Sequence, residues 1–373
     1  MTRITDVRAR TVSVPLDKPT SFSNRQVFKR DYVLVEVQGD DGHVGIGFCY
    51  GGNNAGSLVA HAVRDLLRPV LVGSDAHATE GLWQSMYQES LLHGRCGSVM
   101  RAISILDTAL WDRNARAADL PLYKYLGASD VDSVPAYASG GYYLDGKTPA
   151  MLGDEMAGYV AQGFTAVKMK VGREDLKGEE ARLAAVREAV GPNIQVMLDA
   201  NNAWRDLPTA LEFMRMAEPY APFWIEEPFS PDDIDNHQRL ASRTPVPVAT
   251  GEIEAGRWRF KELLEKDAAM ILQTDAAVCG GITEFRRITA TAASFGVDVY
   301  PHWFHDLHVH LVASAPNARM VEFFADDQVL NFRRLVDTQL EFADGNLLLP
   351  SRAGLGFGFD AEALERFASE PWH

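Results

Sequence analysis

The sequence predicts an α/β fold, a barrel of alternating strand–helix units preceded by a smaller α+β module. From Val134 onward, short apolar runs alternate with amphipathic segments. Their interval is about 25–30 residues, the size of one βα unit in a closed barrel. Before Val134 the order is strands first and helices afterwards, as in an α+β module. A third observation concerns function. Run after run ends on a titratable residue, and burying such a group unpaired is costly.

Taken in order, Val7–Val14 and Tyr32–Val37 alternate as strands, and Asp41-Gly42 turns into a third, Val44–Phe48. Lys18–Arg30 between the first two reads as a polar loop, and Tyr50–Asn53 as a second flexible segment; both are candidate covers for a site. Helical patterns follow at Ala55–Leu71, Ala78–Leu92 and Ser98–Ala117, the last with Ile103, Leu106, Ala109 and Leu110 at helical spacing. Residues 1–130 thus form the α+β module and 131–325 the barrel. The eight barrel strands are read at Val134–Ala138, Ala166–Met169, Gln195–Leu198, Phe223–Ile225, Val246–Ala249, Met270–Leu272, Val297–Tyr300 and Arg319–Val321. Eight parallel strands at this interval favour a closed barrel over an open sheet. Residues 326–373 contain a hairpin around Asp344-Gly345 and are expected to return to the N-terminal module. Gly354–Phe359, GLGFGF, lacks the flanking strand and helix of a dinucleotide fingerprint.

A formal net charge of −15 over 373 residues argues against nucleic acid or an anionic membrane surface as partner. The three cysteines are scattered, without metal-binding spacing, which fits a reducing cytoplasm. No run approaches the ~20 apolar residues needed to span a bilayer.

The strand ends carry the chemistry. Asp199, Glu226 and Glu252 end three successive strands, and at the C-terminal mouth of a barrel they would converge. Three independent surface acids are the plainer reading of each one alone, but their recurrence at consecutive strand ends favours a shared site. Three ionised carboxylates so close raise one another's pKa, and a hard divalent cation removes the conflict. Oxygen-only ligation suits magnesium or manganese better than zinc. Lys168 and Lys170 end the second strand two residues apart, hence on one face. Mutual repulsion and burial would lower a lysine there toward ~7, making a base. Asp275 and His302 form a possible carboxylate–imidazole pair. Glu322 ends the eighth strand and, if protonated, would donate to a developing oxyanion.

Together VKMK, LDANN, WIEEP, TGE, QTDAAVCGG, PHW and Glu322 resemble, in order and spacing, the mandelate racemase subgroup of the enolase superfamily. The resemblance spans nearly the whole chain. It implies a modified (β/α)7β barrel, a type of TIM barrel, with an α+β capping domain and an essential magnesium ion. Carried over, Asp199, Glu226 and Glu252 resemble the metal ligands, and Glu227 does not carry over as one. Lys170 resembles one acid/base, and His302 with Asp275 the other, on the opposite face of the substrate. Lys168 would tune Lys170 and meet the substrate carboxylate. Glu322 would hydrogen-bond the enediolate, and Asn201 would line the metal end. The family also implies an assembly of identical subunits.

The implied reaction removes the proton α to a carboxylate. A β-hydroxyl would then leave as water, making the protein an aldonate or aldarate dehydratase; reprotonation from the other face would make it a racemase or epimerase. A metal-dependent hydrolase and a non-catalytic sugar-acid binder are the readings from other classes. Ser21, Ser23, Asn24, Arg25, Asn53 and Asn54 in the covering loops suit a polyhydroxylated ligand, with Arg25 and Asn53 the expected substrate contacts.

Overall fold

The structure is a computed structural model that describes residues 1–22, 25–326 and 330–373, with backbone alone at Phe22 and Arg25. Its N-terminal part is an antiparallel sheet, β1 (Ile4–Phe22), β2 (Arg25–Gly39) and β3 (Val44–Tyr50), in that order. The expected loop at Lys18–Arg30 is instead two strand arms of a long hairpin, with Thr20 opposite Val27 and Ser21 opposite Gln26. Its polar composition hid an alternation. Thr20, Val27 and Arg30 are buried while Phe28 is exposed, and the paired backbone satisfies itself across a register shift between Pro15 and Thr20. Ser23 and Asn24, and the side chain of Arg25, lie outside the described residues.

Four helices cover this sheet and its edge: α1 (Gly56–His61), α2 (Arg68–Leu71), α3 (Thr79–Ser90) and α4 (Gly97–Ala117). A π-helical stretch, Ala62–Leu67, joins the first two. Pro69 has no N–H for the carbonyl four residues back, and the ladder ahead of it widens, with Arg68 N donating to Val63 O. Ile103, Leu106, Ala109 and Leu110 of α4 are wholly buried. Glycine lets this helix sit directly on β3: a Cβ at Gly45 or Gly47 would lie 2.0 Å from the Ala109 or Ile105 carbonyl oxygen.

After the short α5 (Leu122–Tyr125) the chain forms the barrel. Its strands are β4 (Ser133–Ser139), β5 (Ala166–Lys170), β6 (Gln195–Asp199), β7 (Pro222–Glu226), β8 (Val248–Thr250), β9 (Ile271–Leu272), β10 (Asp298–Val299) and β11 (Val321–Phe323). Parallel pairing runs from β4 through β10 in chain order, β11 returns to β4, and a Val299–Ala318 bridge closes the ring. Seven helices fill the intervals: α6 (Pro149–Ala161), α7 (Leu176–Val190), α8 (Leu207–Ala217), α9 (Ile234–Ala241), α10 (Arg257–Glu265), α11 (Gly281–Ser294) and α12 (His305–Ser314). This is a (β/α)7β barrel. Aspartate side chains cap three of these helices, Asp175, Asp206 and Asp233 each accepting a backbone N–H from the first turn. Tyr137, Ala166, Met197, Trp224, Ala249 and Tyr300 fill the lower barrel interior. Met169 packs outward in the larger apolar layer, leaving Lys168 and Lys170 on the inner face.

The hairpin β12 (Phe342–Ala343) and β13 (Asn346–Leu348) does not join the N-terminal sheet. It pairs antiparallel with the start of β4, because the eighth barrel strand covers only Ala136–Ala138 and leaves Ser133–Pro135 with free edge groups. The chain beyond it does run back. Gly354 bridges Pro121, and Ala368 bridges Val12 of β1. Among the described residues no helix is long and apolar enough to cross a membrane.

Candidate active site

The barrel register brings the charged groups together. Lys170 lies beside Asp199 across β5 and β6, and Asp199 beside Glu226 across β6 and β7. Glu252 follows β8 after Gly251, whose φ of +127° turns the chain back over the mouth. Carboxylate oxygens of Asp199, Glu226 and Glu252 all lie within 4.8 Å of one another. Glu252 Oε2 is buried without a hydrogen-bond partner. Burial and Asp199 drive the Glu226 carboxyl well above its usual range, and burial and Glu252 do the same to Glu227. Converging, mutually repelling oxygens with an unsatisfied lone pair fit a hard divalent cation.

The lysines face this cluster. Lys168 Nζ donates to Glu226 at 2.8 and 3.0 Å, reaches Glu322 Oε1 at 2.6 Å and lies 3.5 Å from Asp199. Lys170 Nζ binds Asp199 Oδ2. The expectation of a lowered lysine fails here. Burial does penalise each ammonium, but the carboxylates around it outweigh burial and the neighbouring lysine, and both pKa values rise. Glu322 is likewise not the neutral donor expected. Against burial, Lys168, His302 and Lys170 hold it down to about 2, an ionised carboxylate that accepts from Trp303 N at 2.8 Å.

Opposite Lys170, His302 Nδ1 meets Asp275 Oδ2 at 3.0 Å, and its Nε2 lies 3.5 Å from Glu252. Burial lowers the imidazole, yet Glu252, the Asp275 hydrogen bond and Glu322 prevail and push it up to about 9. Asp275 is itself fixed: its Oδ1 accepts from Ala277 N at 2.8 Å, and His308, which accepts from Ala276 N, sits 3.6 Å away. Burial presses His308 down to about 4, so it stays neutral.

Asn201, Asn202, Glu227 and Trp303 all adopt positive φ, between 42° and 66°, each just past a strand end at this mouth. Such strain costs on the order of 1–3 kcal/mol per residue and concentrates at functional sites. Asn201 Oδ1 is buried without a partner.

Lys170, on the second barrel strand, and His302, just past the seventh, line a cavity of about 280 Å³ with Asn201, Glu252, Asp275 and Glu322. Its roof was not legible from the strand ends: Arg30, Tyr50 and Arg101 come from the N-terminal module, with Trp303 and Phe324 completing it. Arg30 is buried with its guanidinium 4.5 Å from the Trp303 ring and 5.1 Å from Tyr50. Asn53 does not line the cavity. It holds Tyr50 Oη and the Gln26 carbonyl at 3.4 Å, one layer outside. A larger cavity of about 730 Å³ under the hairpin arm, lined by Thr20, Gln26, Phe28 and Tyr143, contains none of the strand-end groups.

Fold and site together define a metal-dependent acid–base enzyme of the barrel class. The chain belongs to the mandelate racemase / muconate lactonizing enzyme family of the enolase superfamily: residues 4–127 match its N-terminal domain, and residues 151–363 match the enolase C-terminal domain-like family. It is similar to arabinonate dehydratase of Saccharolobus solfataricus, 36% identical over 90% of each chain. It is similar also to 3,6-anhydro-alpha-L-galactonate cycloisomerase of Streptomyces coelicolor, 33% identical over 97% of this chain and 98% of that one. Among solved structures, L-talarate dehydratase from Polaromonas sp. JS666, complexed with Mg and L-glucarate, superposes with a TM-score of 0.91. It is 32% identical, over 100% of this chain and 99% of the other.

Proposed function

We propose that the protein is a magnesium-dependent acid-sugar dehydratase that removes the proton α to a carboxylate and expels the β-hydroxyl as water. The observation that carries this is that Lys170 and the His302–Asp275 pair line one cavity together with Glu252, whose carboxylate oxygens converge with those of Asp199 and Glu226. Asp199, Glu226 and Glu252 would hold the ion, which when bound supplies Lewis-acid stabilisation of charge developing on the substrate carboxylate. Manganese would satisfy the same oxygen donors.

Lys168, buried next to the cavity against Glu226 and Glu322, would meet the substrate carboxylate and set the charge around Lys170. Asp199 is the main group holding the Lys170 ammonium; with that carboxylate engaged by the ion, Lys170 would be released to give up its proton and take the α-proton from one face. His302, oriented by Asp275, gives a proton to the departing hydroxyl from the other, and the enol product becomes a 2-keto acid. Glu322 positions Lys168 and, through Trp303 N, the loop carrying His302. Asn201 offers hydrogen bonding at the metal end. Fixed donors and acceptors of this kind lower the barrier because they need no reorganisation, each 1.36 kcal/mol being tenfold in rate.

Incubation with a panel of aldonates and aldarates plus magnesium, assayed for 2-keto acids, tests the reading; no 2-keto product from any of them refutes it. The same two bases support isomerisation, and solvent deuterium entering the α-carbon without loss of water would make the protein a racemase, epimerase or cycloisomerase instead. We further infer a cytoplasmic assembly of identical subunits, in line with three free cysteines; light scattering of the purified protein checks the assembly.

A further inference from the structure

The roof of the cavity contains a cation with no counter-charge among the described residues. Arg101 lies on α4, is half-buried and lines the same cavity as Asp275, Val278 and His302. Its one side-chain hydrogen bond among the described residues goes to the Tyr50 carbonyl at 3.2 Å, and no described carboxylate lies within ion-pair reach. The other basic groups of the interior contrast with it: Lys168 and Lys170 both face acids, and the Arg30 guanidinium rests between two rings. A guanidinium withdrawn from water on a cavity wall without an anion is unfavourable unless a ligand supplies one. The planar fork carries donors only and matches a carboxylate in two parallel hydrogen bonds, whereas a primary alcohol leaves most of it unused.

Resting on the dehydratase reading, the geometry points to Arg101 as the receptor for a second carboxylate at the far end of the substrate. One carboxylate goes to the metal end by Asp199, Glu226 and Glu252, the other to the roof. The substrate class is therefore a dicarboxylate, an aldarate, in preference to the aldonate with a terminal alcohol. Arg101 is a specificity-determining residue and takes no part in proton transfer.

The test pairs each six-carbon aldarate with the aldonate of the same hydroxyl configuration and measures kcat/KM with magnesium for the wild type, Arg101→Met and Arg101→Lys. In the wild type the best aldarate should exceed its aldonate by at least about 10-fold, the scale of one charge-assisted contact. Arg101→Met should collapse that ratio by about 10- to 100-fold through KM more than kcat, with part restored in Arg101→Lys. A wild type that prefers the aldonate, or a methionine variant with an unchanged ratio, overturns the proposal while leaving the dehydratase reading intact. Should no pair lose water, calorimetry of the same pairs on magnesium-loaded His302→Ala protein still decides it. Tighter aldarate binding that depends on Arg101 supports the subsite even where the reaction assignment has failed, and equal binding removes it.

Discussion

Two parts of this molecule bury carboxylates deeply and do opposite things with them. At the junction between α4 and the barrel, Asp107 accepts from Thr283 N at 2.8 Å and from Thr283 Oγ1 at 2.6 Å. Asp112 accepts from Ile46 N, Leu355 N and Arg116 Nε between 2.7 and 2.8 Å. Every oxygen there has a donor. At the barrel mouth, Asp199, Glu226 and Glu252 crowd one another, and Glu252 Oε2 has none. Burial alone therefore does not mark function. A buried acid whose donors come from the fold holds structure, and one left facing another acid is built for something that arrives later.

This contrast can be broken by substitution. The largest effect is expected at the mouth: Lys170→Ala or His302→Ala should lower kcat by about 10²–10⁴-fold or more, the range of general acid–base catalysis. The melting temperature measured with magnesium should stay within a few degrees, and a variant of either kind with full turnover would remove that residue's role. At the junction the pattern reverses. Asp112→Ala strands two backbone N–H groups and the Arg116 guanidinium, so urea unfolding should show a loss of about 3 kcal/mol, with kcat of the folded fraction kept.

Asp107 sharpens the comparison through pH. Burial pushes its folded pKa up to about 7, well above the usual carboxylate range of about 4. The native state thus holds the proton more tightly. The stability this group contributes is complete below about pH 4 and is lost as pH rises through about 7. Unfolding free energy should fall between pH 5 and 8 by about 2–3 kcal/mol more in the wild type than in Asp107→Asn, and equal slopes would contradict this.

The smallest stability effect belongs to Glu252→Gln. Without metal, neutralising one of three clashing acids should raise the melting temperature by about 2 °C. Magnesium affinity should fall beyond the ~10–100-fold that losing an outer partner costs. Magnesium at 100 times its Kd should stabilise the wild type by about 2.7 kcal/mol and the variant by much less.

The floor of the site was legible from sequence because it follows from local order. Each carboxylate or lysine ends an apolar run, and parallel register then fixes its neighbours. The roof was not. Arg30 looked like the end of a polar loop and Arg101 like one more charge on a helix, and only docking of the N-terminal module sets them beside His302. Arg25 and Asn53 were chosen for their polarity; Asn53 sits one layer out, and the Arg25 side chain is outside the described residues. Charge states also resist reading from sequence. Repulsion between Lys168 and Lys170 is evident in KMK, but Asp199, Glu226 and Glu322, the carboxylates that reverse its effect, come from three other strands.

One junction contact bears on how ligands come and go. Trp83 Nε1 donates to Gly280 O at 2.6 Å, and Gly280 N donates to Ser104 Oγ at 2.9 Å, pinning the cap to the turn that follows Asp275. A cap bolted at that spot cannot lift away as one piece without breaking both of these bonds. Traffic through the mouth must then rely on small displacements at the rim, and the recognition surface overhead stays in place between turnovers.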